Sequence, residues 1–167
     1  MKKNLLVLIS ALCLAGALPA QDEKKVKCKD IKASIIKGDV NGLTTESSMA
    51  DVKKALPCFT GEGEEGGTAN CGGGVFYREN EIYFYTSKDY IEIRSGFLGK
   101  LDTPLFGRDI RQANDYFTKP VKTEEKSSGT YHYYKQKYGT LIIRTNDDAI
   151  DLVQLWKSKW DEVVLCE

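Results

Sequence analysis

The chain is poor in the residues and motifs that most catalytic and metal centres use. His132 is its single histidine in 167 residues. It has no Gly-x-Ser-x-Gly segment, no Gly-Lys-Ser/Thr phosphate loop and no Cys-x-x-Cys spacing. These absences favour a non-enzymatic protein, and we expect no catalytic residue, no cofactor and no metal ligand.

The chain also lacks an excess of charge. Lysine and arginine number 24, as do aspartate and glutamate. Removal of Lys2 and Lys3 with a leader leaves a net charge near −2. Nothing in this balance indicates a nucleic acid or an anionic membrane surface as the partner.

Long apolar runs are absent except for one, from Leu5 to Leu18. It follows Lys2 and Lys3 and ends on Leu18-Pro19-Ala20, which is typical of a secretory signal peptide with cleavage after Ala20, or alternatively after Ala17. The run is too short to span a bilayer comfortably. We therefore expect residues 1–20 to be a signal peptide, and residues 21–167 to be one periplasmic or secreted domain without a transmembrane segment.

Four cysteines remain after such cleavage: Cys28, Cys58, Cys71 and Cys166. An even number in an exported chain indicates two disulfides, for which three pairings are possible. We expect Cys58–Cys71, which would close a short glycine-rich loop, and Cys28–Cys166, which would join the chain ends. A zinc site is the alternative, although the paired close spacings of such sites are missing.

Apolar periodicity and turn residues predict the elements of the mature chain. A strand is expected at 31–35, and a short helix from Met49, ended by Pro57. A second helix is expected at 108–117, ended before Pro120. We expect loops at 58–74 and 123–129, and further strands at 75–77, 82–86, 90–94, 130–135, 140–145 and 150–156.

A helix followed by strands thus occurs twice, in pseudo-repeats at about 31–97 and 98–160. This order predicts an α+β fold, in which each half offers an antiparallel sheet with a short helix packed on one face.

The segment Ile110-x-x-Ala113-x-x-x-Phe117-Thr118-Lys119-Pro120, followed by a tyrosine-rich hairpin, resembles one α-β-β repeat of the superfamily of β-lactamase inhibitor proteins. The same superfamily includes the small lipoprotein of the outer-membrane barrel-assembly machinery. Phe117-Thr118 stand where that pattern has Leu-Gly, and Pro57 follows Leu56 without Gly-Lys. The resemblance implies a binding scaffold in an export compartment and assigns no individual functional residue.

Two features are candidates for recognition of another protein. Strand alternation places Tyr83 and Tyr85 opposite Ile82 and Phe84, and a sheet face bearing tyrosines suits protein contacts. We extend this prediction to Tyr131 and Tyr133. The acidic loop that contains Glu62, Glu64 and Glu65 is the second candidate, because function concentrates on loops held by a scaffold.

The remaining chemical patterns have simpler explanations. His132 lies among tyrosines on a predicted strand, where it has no nucleophile motif around it. Asp39-x-Asn41-Gly42 and Asn146-Asp147-Asp148 are typical of turns and do not continue into an EF-hand. A carboxylate pair for glycoside hydrolysis depends on spatial separation, which the sequence does not reveal.

These observations favour an exported, non-enzymatic module that binds an unidentified protein of the envelope or extracellular space, such as an inhibitor or immunity protein. One alternative is a structural or assembly accessory of the envelope, which would require lipidation of Cys13. Another alternative is a small hydrolase that uses His132 or carboxylates.

Overall fold

A computed structural model describes residues 29–64 and 71–166. The expected signal peptide, Cys28 and Glu65 lie outside the described residues. No helix within the described ranges is long and apolar enough to cross a membrane.

The dominant element is a sheet of eight strands that is antiparallel throughout. Along the sheet the strands follow the order β4, β5, β6, β7, β12, β11, β10, β9. Their bounds are Gly61–Gly63 (β4), Gly74–Tyr77 (β5), Ile82–Tyr85 (β6), Tyr90–Arg94 (β7), Lys122–Lys126 (β9), Gly129–Gln136 (β10), Gly139–Asn146 (β11) and Ala149–Trp156 (β12).

A second, smaller sheet contains the short strands β1 (Lys32–Ser34), β2 (Asp39–Val40), β3 (Leu43–Thr44) and β8 (Lys100–Leu101). Its order is β3, β2, β1, β8, and β8 runs parallel to β1 while the other pairs are antiparallel. The chain therefore returns after β7 to complete the sheet that it started, and then adds β9 to β12 to the large sheet.

The helix α1 spans Met49–Ala55 and begins where the sequence predicts it. The Ser48 hydroxyl accepts a hydrogen bond from the Asp51 amide, which satisfies one of the free donors of the first turn. Val52 and Leu56 are buried and belong to the main core. This helix covers one face of the large sheet beside β5.

The second predicted helix is a shorter 3₁₀ helix at Ile110–Asp115, with a further 3₁₀ turn at Arg78–Asn80. Its expected apolar positions are correct: Ala113 and Phe117 are buried in the main core and Ile110 packs against it. Asn114 and Asp115 favour turns over helix interiors, which accounts for the shorter element.

The two faces of the large sheet have different coverings. One face forms the main core with the small sheet, α1 and the 110–115 segment. The other face, which we call the outer face, has a separate buried cluster of Tyr90, Tyr131, Tyr133, Ile142 and Trp156. Val163, Leu165 and Cys166 of the C-terminal segment pack against that cluster.

The coarse fold prediction is confirmed, because the chain is mostly antiparallel sheet with few short helices. Two expected loops are wrong. The segment 123–129 was expected to be loop because of its polarity, yet Lys122–Lys126 is the edge strand β9, where charged side chains limit pairing with another chain. The segment 58–74 contains β4 at the opposite edge. The strands of both halves also join one sheet, rather than one sheet each.

Candidate partner-binding face

Strand alternation places the tyrosines of β6 as the sequence predicts. Ile82 and Phe84 are buried in the main core, whereas Tyr83 and Tyr85 are half-buried on the outer face. Tyr85 is paired with Tyr90 of β7 and Tyr83 with Glu92. The pairing thus brings aromatic and acidic side chains of neighbouring strands onto one surface.

A stack of three aromatic rings crosses the outer face. The ring of Tyr85 stacks on that of Tyr90 with centroids 4.5 Å apart and planes 10° apart. Tyr90 in turn stacks on Trp156 of β12 at 4.1 Å and 8°. Phe76 of β5 adds a tilted contact with Tyr85 at 5.4 Å. The two stacking contacts fix the half-buried ring of Tyr85 beside the buried rings of Tyr90 and Trp156.

Beside this stack lies a chain of buried hydrogen bonds. The Trp156 indole Nε1 donates to Gln154 Oε1 at 2.9 Å. Gln154 Nε2 then donates to Glu92 Oε2 at 2.9 Å. The other Glu92 oxygen accepts from Arg94 Nε at 2.8 Å. The buried polar atoms of Trp156, Gln154 and Glu92 in this network therefore all have hydrogen-bond partners.

Arg94 is the point at which this network reaches the solvent. Its side chain is 45% exposed while that of Glu92 is 7% exposed. The guanidinium carbon lies 4.5 Å from the centroid of the Tyr83 ring, which is a cation–π contact. We call Phe76, Tyr83, Tyr85 and Arg94 the aromatic–arginine patch.

Burial sets the protonation of the patch. Desolvation raises the pKa of the Tyr85 and Tyr90 phenols well above the usual value of 10, and Glu92 raises both pKa values further. Desolvation also raises the pKa of Tyr83, against the opposing charge of Arg94. These hydroxyls stay neutral at physiological pH, and that of Tyr83 donates to Glu81 Oε2 at 3.1 Å.

The prediction for Tyr131 and Tyr133 is wrong, because both side chains are buried, at 4% and 1% exposure. The Tyr133 hydroxyl donates to Glu124 Oε2 at 3.1 Å, and the Lys122 ammonium lies 4.8 Å from its ring centroid. Side chains of the edge strand β9 thus pack on Tyr133, whereas the Tyr131 hydroxyl lies 2.9 Å from Ser128 Oγ. The strand alternation correctly predicts that both tyrosines lie on the outer face, but it does not predict that other side chains bury them there.

The acidic loop residues do not join the patch. Glu62 lies on β4 opposite Val75, whose side chain is in the main core, so Glu62 faces the helix side of the sheet. There it forms an ion pair with Lys53 of α1. Glu64 is exposed, and Glu65 is outside the described residues. The two predicted recognition features therefore do not form a common site.

Neither expected disulfide is present. Cys71 and Cys166 are not in disulfides, so Cys71 is not bonded to Cys58, nor Cys166 to Cys28. Cys58 is itself disulfide-bonded. The short separation between Cys58 and Cys71 along the chain does not bring them together, because β4 and β5 pair antiparallel: Cys58 lies before the open end of this pair, and Cys71 lies in the connection at its other end.

His132 is a half-buried side chain between two threonines. Its ring nitrogens lie 3.4 Å from Thr123 Oγ1 and 3.4 Å from Thr145 Oγ1. Desolvation lowers its pKa below the usual 6.5. These contacts are those of a strand residue packed between its neighbours on β9 and β11. Within residues 29–64 and 71–166, no three His, Cys, Asp or Glu side chains are grouped to hold a metal ion.

No family model, curated protein or solved structure matches this chain. The resemblance to the β-lactamase inhibitor superfamily therefore stays a prediction. Function has to be argued from the site itself.

Sequence reasoning missed Phe76, Glu92, Arg94 and Gln154. A signal for Glu92 was present, since a lone carboxylate stands between Ile91 and Ile93 in an apolar strand. Such a residue needs a partner from a neighbouring strand. The partner's identity was out of reach because Gln154 is 62 residues away along the chain.

Proposed function

We propose that this chain is an exported, non-enzymatic protein-binding module that contacts its partner through the aromatic–arginine patch. An inhibitor or immunity-type role against a secreted or envelope enzyme is the concrete form of this proposal. Export rests on the leader-like residues 1–20, and the periplasm or the cell exterior is the proposed location.

The observation that carries the proposal is the fixed position of Arg94 over Tyr83. Glu92, which is buried and held by Gln154, anchors the guanidinium, so that part of Arg94 remains open to solvent. Tyrosine and arginine are among the residues most enriched in strong contributors to protein interfaces. A side chain that is already ordered before binding loses less conformational entropy on association.

The patch also defines the chemistry of the partner. Half-buried aromatic rings offer apolar area, and Arg94 offers charged donors beside them. A partner surface with an exposed carboxylate next to apolar side chains matches both features. The internal helix-then-strands repeat belongs to this proposal as well, supported by the way α1 precedes β5 to β7 and the 110–115 segment precedes β9 to β12.

Site-specific photocrosslinking tests the proposal. A benzoylphenylalanine is placed at position 83, and a matched control carries it at position 116, since Tyr116 is an exposed tyrosine at the end of the 3₁₀ helix. Both exported proteins are irradiated in intact cells. We expect a discrete crosslinked protein at 83 that is absent at 116.

Binding of that captured protein is then measured with purified variants. Tyr83→Ala and Arg94→Gln should each weaken binding by about tenfold or more, which corresponds to at least about 1.4 kcal/mol, whereas Tyr116→Ala should leave it unchanged. Equal crosslinking at both positions, or none at 83 in both secreted and envelope fractions, would contradict the proposal.

A further inference from the structure

Two cysteine side chains that are not in disulfides, those of Cys71 and Cys166, meet on the outer face of the large sheet. Cys71 lies three residues before β5, and Cys166 lies near the end of the chain. The two side chains are within hydrogen-bonding reach of each other. The Tyr90 hydroxyl is within hydrogen-bonding reach of both, so the three groups form one cluster.

Each thiol is brought there by a separate part of the fold. The Ser87 amide and hydroxyl both donate to the Gly73 carbonyl, at 3.4 Å and 3.1 Å, which holds the segment before β5 against the β6–β7 turn. Cys166 arrives with Val163 and Leu165, which pack on the buried cluster of the outer face. The contact is therefore a product of tertiary structure across 95 positions of sequence.

We propose that Cys71 and Cys166 form a disulfide that fastens the C-terminal segment across the outer face. Residues 158–166 have no strand or helix, and the Ser158 carbonyl, which accepts from Thr140 Oγ1 of β11 at 2.8 Å, ties only their start to the large sheet. A covalent bond at Cys166 replaces the missing sheet pairing. It holds Val163 and Leu165 over the cluster that includes Tyr90 and Trp156.

The reaction is a thiol–disulfide exchange with an oxidant that is itself a disulfide. The Cys71 or Cys166 thiolate attacks the oxidant and forms a mixed disulfide, which releases one oxidant thiol. The second cysteine attacks the mixed disulfide and releases the other oxidant thiol. The two cysteines are oxidised, the oxidant disulfide is reduced to two thiols, and the two protons lost by the cysteines are taken up by those thiols.

A structural bond suits this cluster better than a reactive cysteine does. Desolvation and the neighbouring Cys166 raise the pKa of the Cys71 thiol to about 11, so that it is protonated at physiological pH. Reactive cysteines have the opposite environment, in which nearby positive charge lowers the pKa. Oxidation should consequently accelerate as the pH is raised.

The four mature cysteines allow three disulfide pairings, and this bond is compatible with only one of them. With Cys71 bonded to Cys166, Cys28 and Cys58 are left to each other. That arrangement is consistent with Cys58 being disulfide-bonded.

Peptide mapping of the full chain, exported with its leader, tests the bond directly. Free thiols are alkylated under acid conditions, and the chain is digested without reduction by a protease that cleaves after glutamate. Trypsin is unsuitable because no lysine or arginine lies between Lys54 and Arg78, so that Cys58 and Cys71 would stay in one peptide. Cleavage after glutamate separates all four cysteines into the peptides 24–46, 47–62, 66–79 and 163–167.

We expect peptide 66–79 linked to peptide 163–167, without alkylation of either cysteine. Cys71 and Cys166 alkylated both in the cellular protein and in reduced chain treated with oxidised glutathione, or a link between 47–62 and 66–79 in either sample, would overturn the proposal. Purified, reduced full chain is mapped in the same way after incubation with oxidised glutathione. If it closes the bond there while the cellular protein stays reduced, the pairing is supported and export is the part that fails.

Serine variants give an independent measurement. Under oxidising conditions Cys71→Ser, Cys166→Ser and the double variant should show the same reduced unfolding midpoint, because each removes the same bond. In reducing buffer their midpoints should coincide with that of the wild type. Additive effects of the two single variants would overturn the proposal.

Discussion

The indole of Trp156 lies parallel to the phenol ring of Tyr90, with ring centroids 4.1 Å apart and planes 8° apart. The two residues are register partners on β12 and β7, the strands that join the halves of the large sheet. Both side chains are buried, so this contact stabilises the junction between segments that are far apart in the chain.

Replacement of Trp156 by alanine should lower the free energy of unfolding by about 3–5 kcal/mol, since it removes a large buried ring and leaves a cavity. Trp156→Phe keeps an aromatic ring against Tyr90 and should lose less. Urea denaturation of both variants measures the difference. Trp160→Ala is the control, because Trp160 is 36% exposed and should change stability little. Equal losses at 156 and 160 would contradict this view of the junction.

Glu92 should stabilise the fold through its two hydrogen-bond partners. Glu92→Leu leaves Gln154 Nε2 without an acceptor and Arg94 without its carboxylate, so we expect a loss of about 2–4 kcal/mol in the free energy of unfolding. The double variant Glu92→Leu/Gln154→Leu should lose less than the sum of the two single changes. Strict additivity in the denaturation series would show that the network is not coupled.

The buried tyrosines Tyr134 and Tyr77 make a matched pair. Among the described residues the Tyr134 hydroxyl is buried without a hydrogen-bond partner, whereas the Tyr77 hydroxyl donates to the Leu56 carbonyl. Burial raises the pKa of each to about 12. Tyr134→Phe should therefore be neutral or stabilising by up to about 1 kcal/mol, and Tyr77→Phe should destabilise by about 1–3 kcal/mol. A lower unfolding midpoint for Tyr134→Phe than for Tyr77→Phe would contradict this difference in hydrogen bonding between the two hydroxyls.

Gly38 and Gly42 separate the effect of backbone conformation from that of a close contact. Both have positive φ, at +74° and +81°. A Cβ at Gly38 would lie 2.4 Å from the Tyr138 ring, whereas one at Gly42 would meet nothing within 4 Å. Gly42→Ala should lose about 1 kcal/mol from backbone strain alone, and Gly38→Ala should lose clearly more. Equal decreases of the melting temperature in the two variants would mean that the Tyr138 ring moves away from position 38 at no cost.

His132 should make stability depend on pH in mildly acidic solution. Its folded-state pKa is lowered by burial, so the unfolded chain binds the proton more tightly. The resulting loss of stability begins as the pH falls below the unfolded value of about 6.5 and grows until the folded pKa is reached. His132→Asn should flatten the pH dependence between about pH 7 and about pH 5. If urea denaturation at several pH values shows the same dependence of the free energy of unfolding on pH in the variant as in the wild type, His132 is excluded as the cause.

Local features of the sequence predicted most of the elements. Ser48 and Pro57 enclose α1, and the alternation in Ile82–Tyr85 assigns each side chain to the correct face. The site was only partly predictable. Tyr83 and Tyr85 are on the half-exposed surface as expected, whereas Tyr131 and Tyr133 are covered. Alternation has a period of two and identifies a face, but it carries no information about what packs on that face.

The sequence by itself determined the local elements and the two-sided pattern of the strands, because turn chemistry and apolar periodicity act between near neighbours. Only the tertiary structure decided that both halves share one sheet, that Gln154 reaches Glu92, and that Cys71 meets Cys166. Each of these depends on strand order and register, which join residues 62 to 95 positions apart. Pairing at such distances is set by the packing of the whole core rather than by any short segment.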